Sequence, residues 1–116
     1  NTSGANNTGI GKSALGANTT GASNVAIGAA ALDANTTASS NTAVGYQALT
    51  QNSTGANNTA VGGDALQQLT TGGSMTAVGQ ACLDAATTAS SCGCSRSSTA
   101  GSASAPETLR VIQPCS

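Results

Sequence analysis

The chain has no histidine, tryptophan or phenylalanine, and Tyr46 is its one aromatic residue. Without histidine it lacks the side chain that most often moves protons near neutral pH. Without an aromatic series it lacks the platforms on which nucleic-acid bases stack. Charge is also scarce. Lys12, Arg96 and Arg110 stand against Asp33, Asp64, Asp84 and Glu107, for a net charge of −1. So few cations build no phosphate-binding surface, and nucleic acid is not an expected partner. No run approaches the ~20 apolar residues that a membrane span needs. A chain this poor in bulky side chains invites a disordered reading. Its residue order argues against that.

The chain repeats every 17 residues. The same phrase opens at Asn7, Asn24, Asn41 and Asn58, reading NTGIGKSAL, NVAIGAAAL, NTAVGYQAL and NTAVGGDAL, with MTAVGQACL from Met75. A short, constant period implies stacked coils, each unable to bury its apolar face alone. Counting each opening residue as register one, register five is always glycine: Gly11, Gly28, Gly45, Gly62 and Gly79. A glycine repeated at a strand exit implies positive φ or a close backbone approach.

Registers two to four read as a short strand whose side chains alternate between faces. Register four carries Ile10, Ile27, Val44, Val61 and Val78, and register nine carries Leu15, Leu32, Leu49, Leu66 and Leu83. These ten residues form the expected core ladder. Registers twelve to seventeen, such as NTTGAS, read as a turn and a second short strand. The period leaves no room for a real helix beside them. The fold class expected is all-β, a parallel β-solenoid (β-roll) with 17-residue coils over residues 1–91. The apolar burial per coil falls short of the entropy of ordering it. Self-assembly, as a trimer or an end-to-end filament, is therefore expected, helped by stacked Asn and Thr ladders.

Cys82, Cys92, Cys94 and Cys115 all lie towards one end. They suggest a disulfide-tied C-terminal cap over residues 92–116, formed in an oxidising compartment. Cys92 and Cys94 are too close to pair readily with each other, so each is expected to bridge to Cys82, to Cys115 or to another chain. A zinc site is the competing reading, weakened by the missing histidine and the missing second paired motif. Beyond Cys94, SRSSTAGSASA (residues 95–105) reads as a low-complexity linker. ETLRVIQP (residues 107–114) reads as a cap or as a strand added to a neighbour.

Chemistry finds little to work with. Asp33 and Asp84 share register ten three coils apart, about 14 Å at strand spacing, too far for paired carboxylate work. No catalytic, cofactor-binding or metal residues are assigned, and the chain does not read as an enzyme. Glycosylation is a sharper candidate. N-x-[ST] sequons occur at Asn1, Asn6, Asn18, Asn35, Asn52 and Asn57. Asn1, Asn18, Asn35 and Asn52 share register twelve, where an exposed turn would set glycans in a stripe. The threonine pairs Thr19-Thr20, Thr36-Thr37, Thr70-Thr71 and Thr87-Thr88 are alternative acceptors for O-linked sugars. Threonine ladders also raise ice binding, but adjacent threonines on a strand point to opposite sides.

The phrases NVAIG, NTAVG and MTAVG resemble the head repeats of trimeric autotransporter adhesins. NTAVGYQAL is also similar to repeats of phage tail fibres and microbial surface fibres. The resemblance implies a left-handed β-roll, three chains side by side, and structural or adhesive work outside the cell. The function expected is that of a building block of an extracellular fibre or surface appendage, assembling by stacking of its coils. The alternative is the adhesive head of a trimeric adhesin or tail fibre, meeting glycans or a host surface.

Overall fold

The computed structural model describes residues 1–98 and 107–113. Five short strands recur at the repeat period: β1 (Thr8–Ile10), β2 (Val25–Ile27), β3 (Thr42–Val44), β4 (Thr59–Val61) and β5 (Thr76–Val78). Each pairs in parallel with the next, every residue meeting its equivalent one unit on, as in Ala43↔Ala60. The chain is a parallel β-solenoid whose coil is one repeat. No helix occurs among the described residues.

The rest of each coil is turn and bend, held rung to rung by backbone hydrogen bonds. Thr19 N donates to Thr36 O at 2.9 Å and Leu32 N to Ala48 O at 3.1 Å. The second strand expected at registers twelve to seventeen does not form. Registers 13 and 14 bend, and two αL residues per coil lie in the preceding turns. Those are Ser13, Ala30, Gln47, Asp64 and Ala81 at register seven and the five leucines at register nine, with φ between 51 and 61°. The register-seven residues, and the leucines other than Leu32, occupy the third position of a turn closed by an i to i−3 bond, such as Ala14 N to Gly11 O at 3.2 Å. Leucine in this conformation costs roughly 1–2 kcal/mol. The stack holds it there because its side chain fills the coil.

The core is narrower than a hydrophobic reading predicts. Ala26, Ala43, Ala60 and Ala77 at register three are fully buried, as are Leu32, Leu49 and Leu66. Leu15 is buried, and Leu83 is partly buried and packed against the core. The Ile/Val half of the expected core ladder lies outside. Ile10 is 59% exposed and Val78 43%, with Ile27 and Val61 at 37%. Val44 is of intermediate exposure. The reason is width. A Cβ built on Gly9, the register-three residue of the first unit, would lie 3.4 Å from Ala14 O and 3.7 Å from Leu15 Cδ1. The leucine already spans the coil, so only a methyl fits opposite. Strand alternation then sends registers two and four outward.

The sheet continues past the fifth coil. Strand β6 (Gly93–Ser98) pairs in parallel with β5, so the expected linker begins as a strand. Strand β7 (Glu107–Gln113) turns back and pairs antiparallel with β6, ending the parallel order.

Candidate functional site

Two features are built by the repeat: internal asparagine ladders and an outer strand face.

The register-one asparagines form the first ladder. Asn7 Oδ1 accepts from Asn24 N and Asn24 Oδ1 from Asn41 N, each at 2.9 Å. Asn41 Oδ1 accepts from Asn58 N at 2.9 Å, and Asn58 Oδ1 from Met75 N at 3.0 Å. The register-twelve asparagines form the second, side chain to side chain. Asn18 Nδ2 donates to Asn1 Oδ1 at 3.0 Å, Asn35 Nδ2 to Asn18 Oδ1 at 2.8 Å, and Asn52 Nδ2 to Asn35 Oδ1 at 3.2 Å. The ladders meet at the register-fifteen carbonyl. Ala38 O accepts from both Asn24 Nδ2 and Asn35 Nδ2, at 2.9 and 3.0 Å. Each such carbonyl braces the two ends of the arc that carries it. The second ladder stops where Leu69 replaces asparagine, and Asn52 Oδ1 is left buried without a partner.

This placement corrects the expected glycan stripe. Asn18, Asn35 and Asn52 are buried, and each amide nitrogen already donates two hydrogen bonds. A side chain held inside the coil presents no acceptor nitrogen. Asn1 is exposed but also bonded, its Nδ2 donating to Gly4 O at 2.7 Å. Asn6 and Asn57 are exposed, in αL conformation at the bend before the strand. The register was legible as a repeat. That it faced inward was not, because an Asn-Thr-Thr run reads as surface until its hydrogen-bond partners are known.

The cysteines gather at the terminal coil. Cys82 at register eight is disulfide-bonded to Cys94 of β6, with a Cα–Cα distance of 6.2 Å, and both are fully buried. Cys92 is also disulfide-bonded, and its sulfur lies 3.1 Å from Met75 Sδ. Cys115 lies outside the described residues. Among the described residues no group of three metal-ligating side chains comes together. No helix among them is long and apolar enough to cross a membrane.

The outer face carries Thr8, Val25, Thr42, Thr59 and Thr76 in one file, with Ile10, Ile27, Val44, Val61 and Val78 in the next. Rungs are about 4.8 Å apart at strand spacing. No charged residue occupies registers one to five in any of the five units. A second file, Ser3, Thr20, Thr37, Thr54, Thr71 and Thr88 at register fourteen, is exposed at the bend. The hydroxyl one residue earlier is engaged instead, as in Thr19 Oγ1 donating to Thr36 O at 3.0 Å.

The geometry defines a class, the parallel β-solenoid repeat module. The chain matches no protein-family model, no curated protein and no solved structure.

Proposed function

We propose that this chain is a structural module of an extracellular fibre or surface appendage, and that it assembles with copies of itself. The observation that carries the reading is the outer strand face. Branched apolar side chains stand there half-exposed at every rung, with no charge among them. Contiguous exposed apolar surface of this kind marks an interaction site. The partner that fits best is another copy laid parallel, because it has the same 17-residue pitch. Each isoleucine or valine of register four then meets its equivalent on the partner, and one register satisfies all five rungs. Parallel end-on stacking at the β6 end has an obstacle, since β7 covers β6 in antiparallel order. The lateral contact has none. The Cys82–Cys94 disulfide supports an oxidising location outside the cell.

Sedimentation equilibrium of the wild-type chain beside a Val44→Lys/Val61→Lys variant tests this. The expected result is a discrete oligomer, or larger, for the wild type and a folded monomer for the variant. A wild type that stays monomeric at high concentration overturns the reading. Adhesion is a second reading, favoured by the exposed register-fourteen hydroxyls, which would meet glycans or a host surface. Its test is binding of the oligomer to a glycan array, with loss on replacing Thr37, Thr54 and Thr71 by valine.

A further inference from the structure

The end of the stack is built differently from its middle. Coils one to four are braced by asparagine at register one, and coils one to three by asparagine at register twelve as well. The fifth coil has Met75 and Ala86 in those registers, and β6 begins just after Cys92. Beyond that point the next register-nine position in the sequence is Ala100 rather than a leucine. The described contacts that attach β6 and the preceding Cys92 to the coil beneath include a three-residue parallel pairing with β5, the bond from Thr76 N to Cys92 O at 3.0 Å, the approach of Cys92 Sγ to Met75 Sδ at 3.1 Å, and the Cys82–Cys94 cross-link. Cys92 is itself disulfide-bonded, but of these contacts only the Cys82–Cys94 bond ties the body of β6 covalently to the fifth coil. Both cysteines occupy registers that are alanine in neighbouring coils, Ala65 below Cys82 and Ala77 below Cys94. The fold therefore does not need sulfur at either place to fill space.

We propose that the Cys82–Cys94 disulfide is a latch. It holds β6, and through it β7, over the edge of β5. When it opens, that edge accepts a parallel coil from a second copy of the chain. An uncovered strand edge is a template for another chain, and the partner is a second copy because only a coil of the same pitch keeps every rung in register. Opening breaks the S–S bond with two electrons and two protons from a dithiol, which leaves as its own disulfide, and closure is the reverse. Both sulfurs are buried, so exchange proceeds from a frayed terminal coil, the part of the stack with fewest braces. The latch concerns the end of the rod and is independent of the lateral face.

The test is a Cys82→Ala/Cys94→Ala variant, which installs the residues of the neighbouring coils and leaves the other cysteines in place. Hydrogen exchange is followed by mass spectrometry, and particle mass by sedimentation velocity. The expected result is exchange at least about tenfold faster over Gly93–Ser98 and Glu107–Gln113, with Val25–Val61 unchanged. Particle mass should rise with concentration and keep rising when Val44→Lys/Val61→Lys is added. Unchanged exchange at β6 and β7 overturns the latch. Loss of protection across Val25–Val61 also overturns it, since the cross-link would then support the whole stack. Faster exchange without growth overturns the second-copy edge contact, and so does growth that the lysine variant abolishes.

Discussion

At the scale of single residues, the tolerance of a position follows its place in the coil rather than its hydrophobicity. Gly28 has φ 132°, and a Cβ there would lie 2.7 Å from the carbonyl carbon of Gly45. Gly28→Ala should cost several kcal/mol, because backbone on the next rung cannot yield. Two residues on, Ala30 has φ 59° without being glycine. Ala30→Gly should raise the thermal midpoint, relieving roughly 1–2 kcal/mol of αL cost against about 0.5–1 kcal/mol of added chain entropy. Thermal unfolding of the two variants should move in opposite directions. The strand supplies a second contrast. Ala60 is fully buried and Val61 is 37% exposed. Ala60→Val should cost about 1–3 kcal/mol by overpacking, whereas Val61→Thr should cost under about 0.5 kcal/mol in the isolated chain. Denaturant unfolding reads both. A core built on register four would reverse that order.

At the scale of the element, the asparagine ladders do what hydrophobic bulk does in wider folds. Each interior amide links two coils and braces its own arc, so the value of a rung depends on its neighbours. Asn35→Leu should cost about 2–4 kcal/mol. It removes three hydrogen bonds and leaves Asn18 Oδ1 buried and unpaired. Leu69→Asn, at the ladder's end, should be close to neutral. It gives Asn52 Oδ1 a donor but moves the unpaired oxygen one rung along and gives up a buried leucine. Equilibrium unfolding in urea separates the cases. A destabilisation as large for Leu69→Asn as for Asn35→Leu would mean the ladder does not act as a linked column.

At the scale of the whole molecule, the stack is a sum of nearly equal rungs and nearest-neighbour contacts. Deleting Asn41–Asn57, one full unit, should leave a shorter solenoid in which β2 pairs with β4. Its circular dichroism per residue should be unchanged and its unfolding cooperative, at a lower midpoint. Deleting only Thr42–Asn57 should unfold the stack, because one residue out of phase turns the alanine face outward and the valine face in. Lateral assembly belongs to the same scale. A face repeated at every rung multiplies a small contact by the number of rungs.

The coil and its period were legible in the sequence alone. Gly11 to Gly79 recur at a spacing that neither a helix nor a globular sheet requires, and the leucines keep one register with them. Local chemistry was enough there, because each coil repeats the same solution. The inner face was decided only by the tertiary structure. Whether Ala43 or Val44 turns inward depends on what already occupies the space across the coil, and Leu49 fills it. The asparagines followed the same logic. Asn35 reads as a surface turn residue, and it became a buried brace once the next coil placed Asn18 Oδ1 and Ala38 O within reach of its amide. Width and stacking are properties of neighbouring coils, and no single repeat carries them.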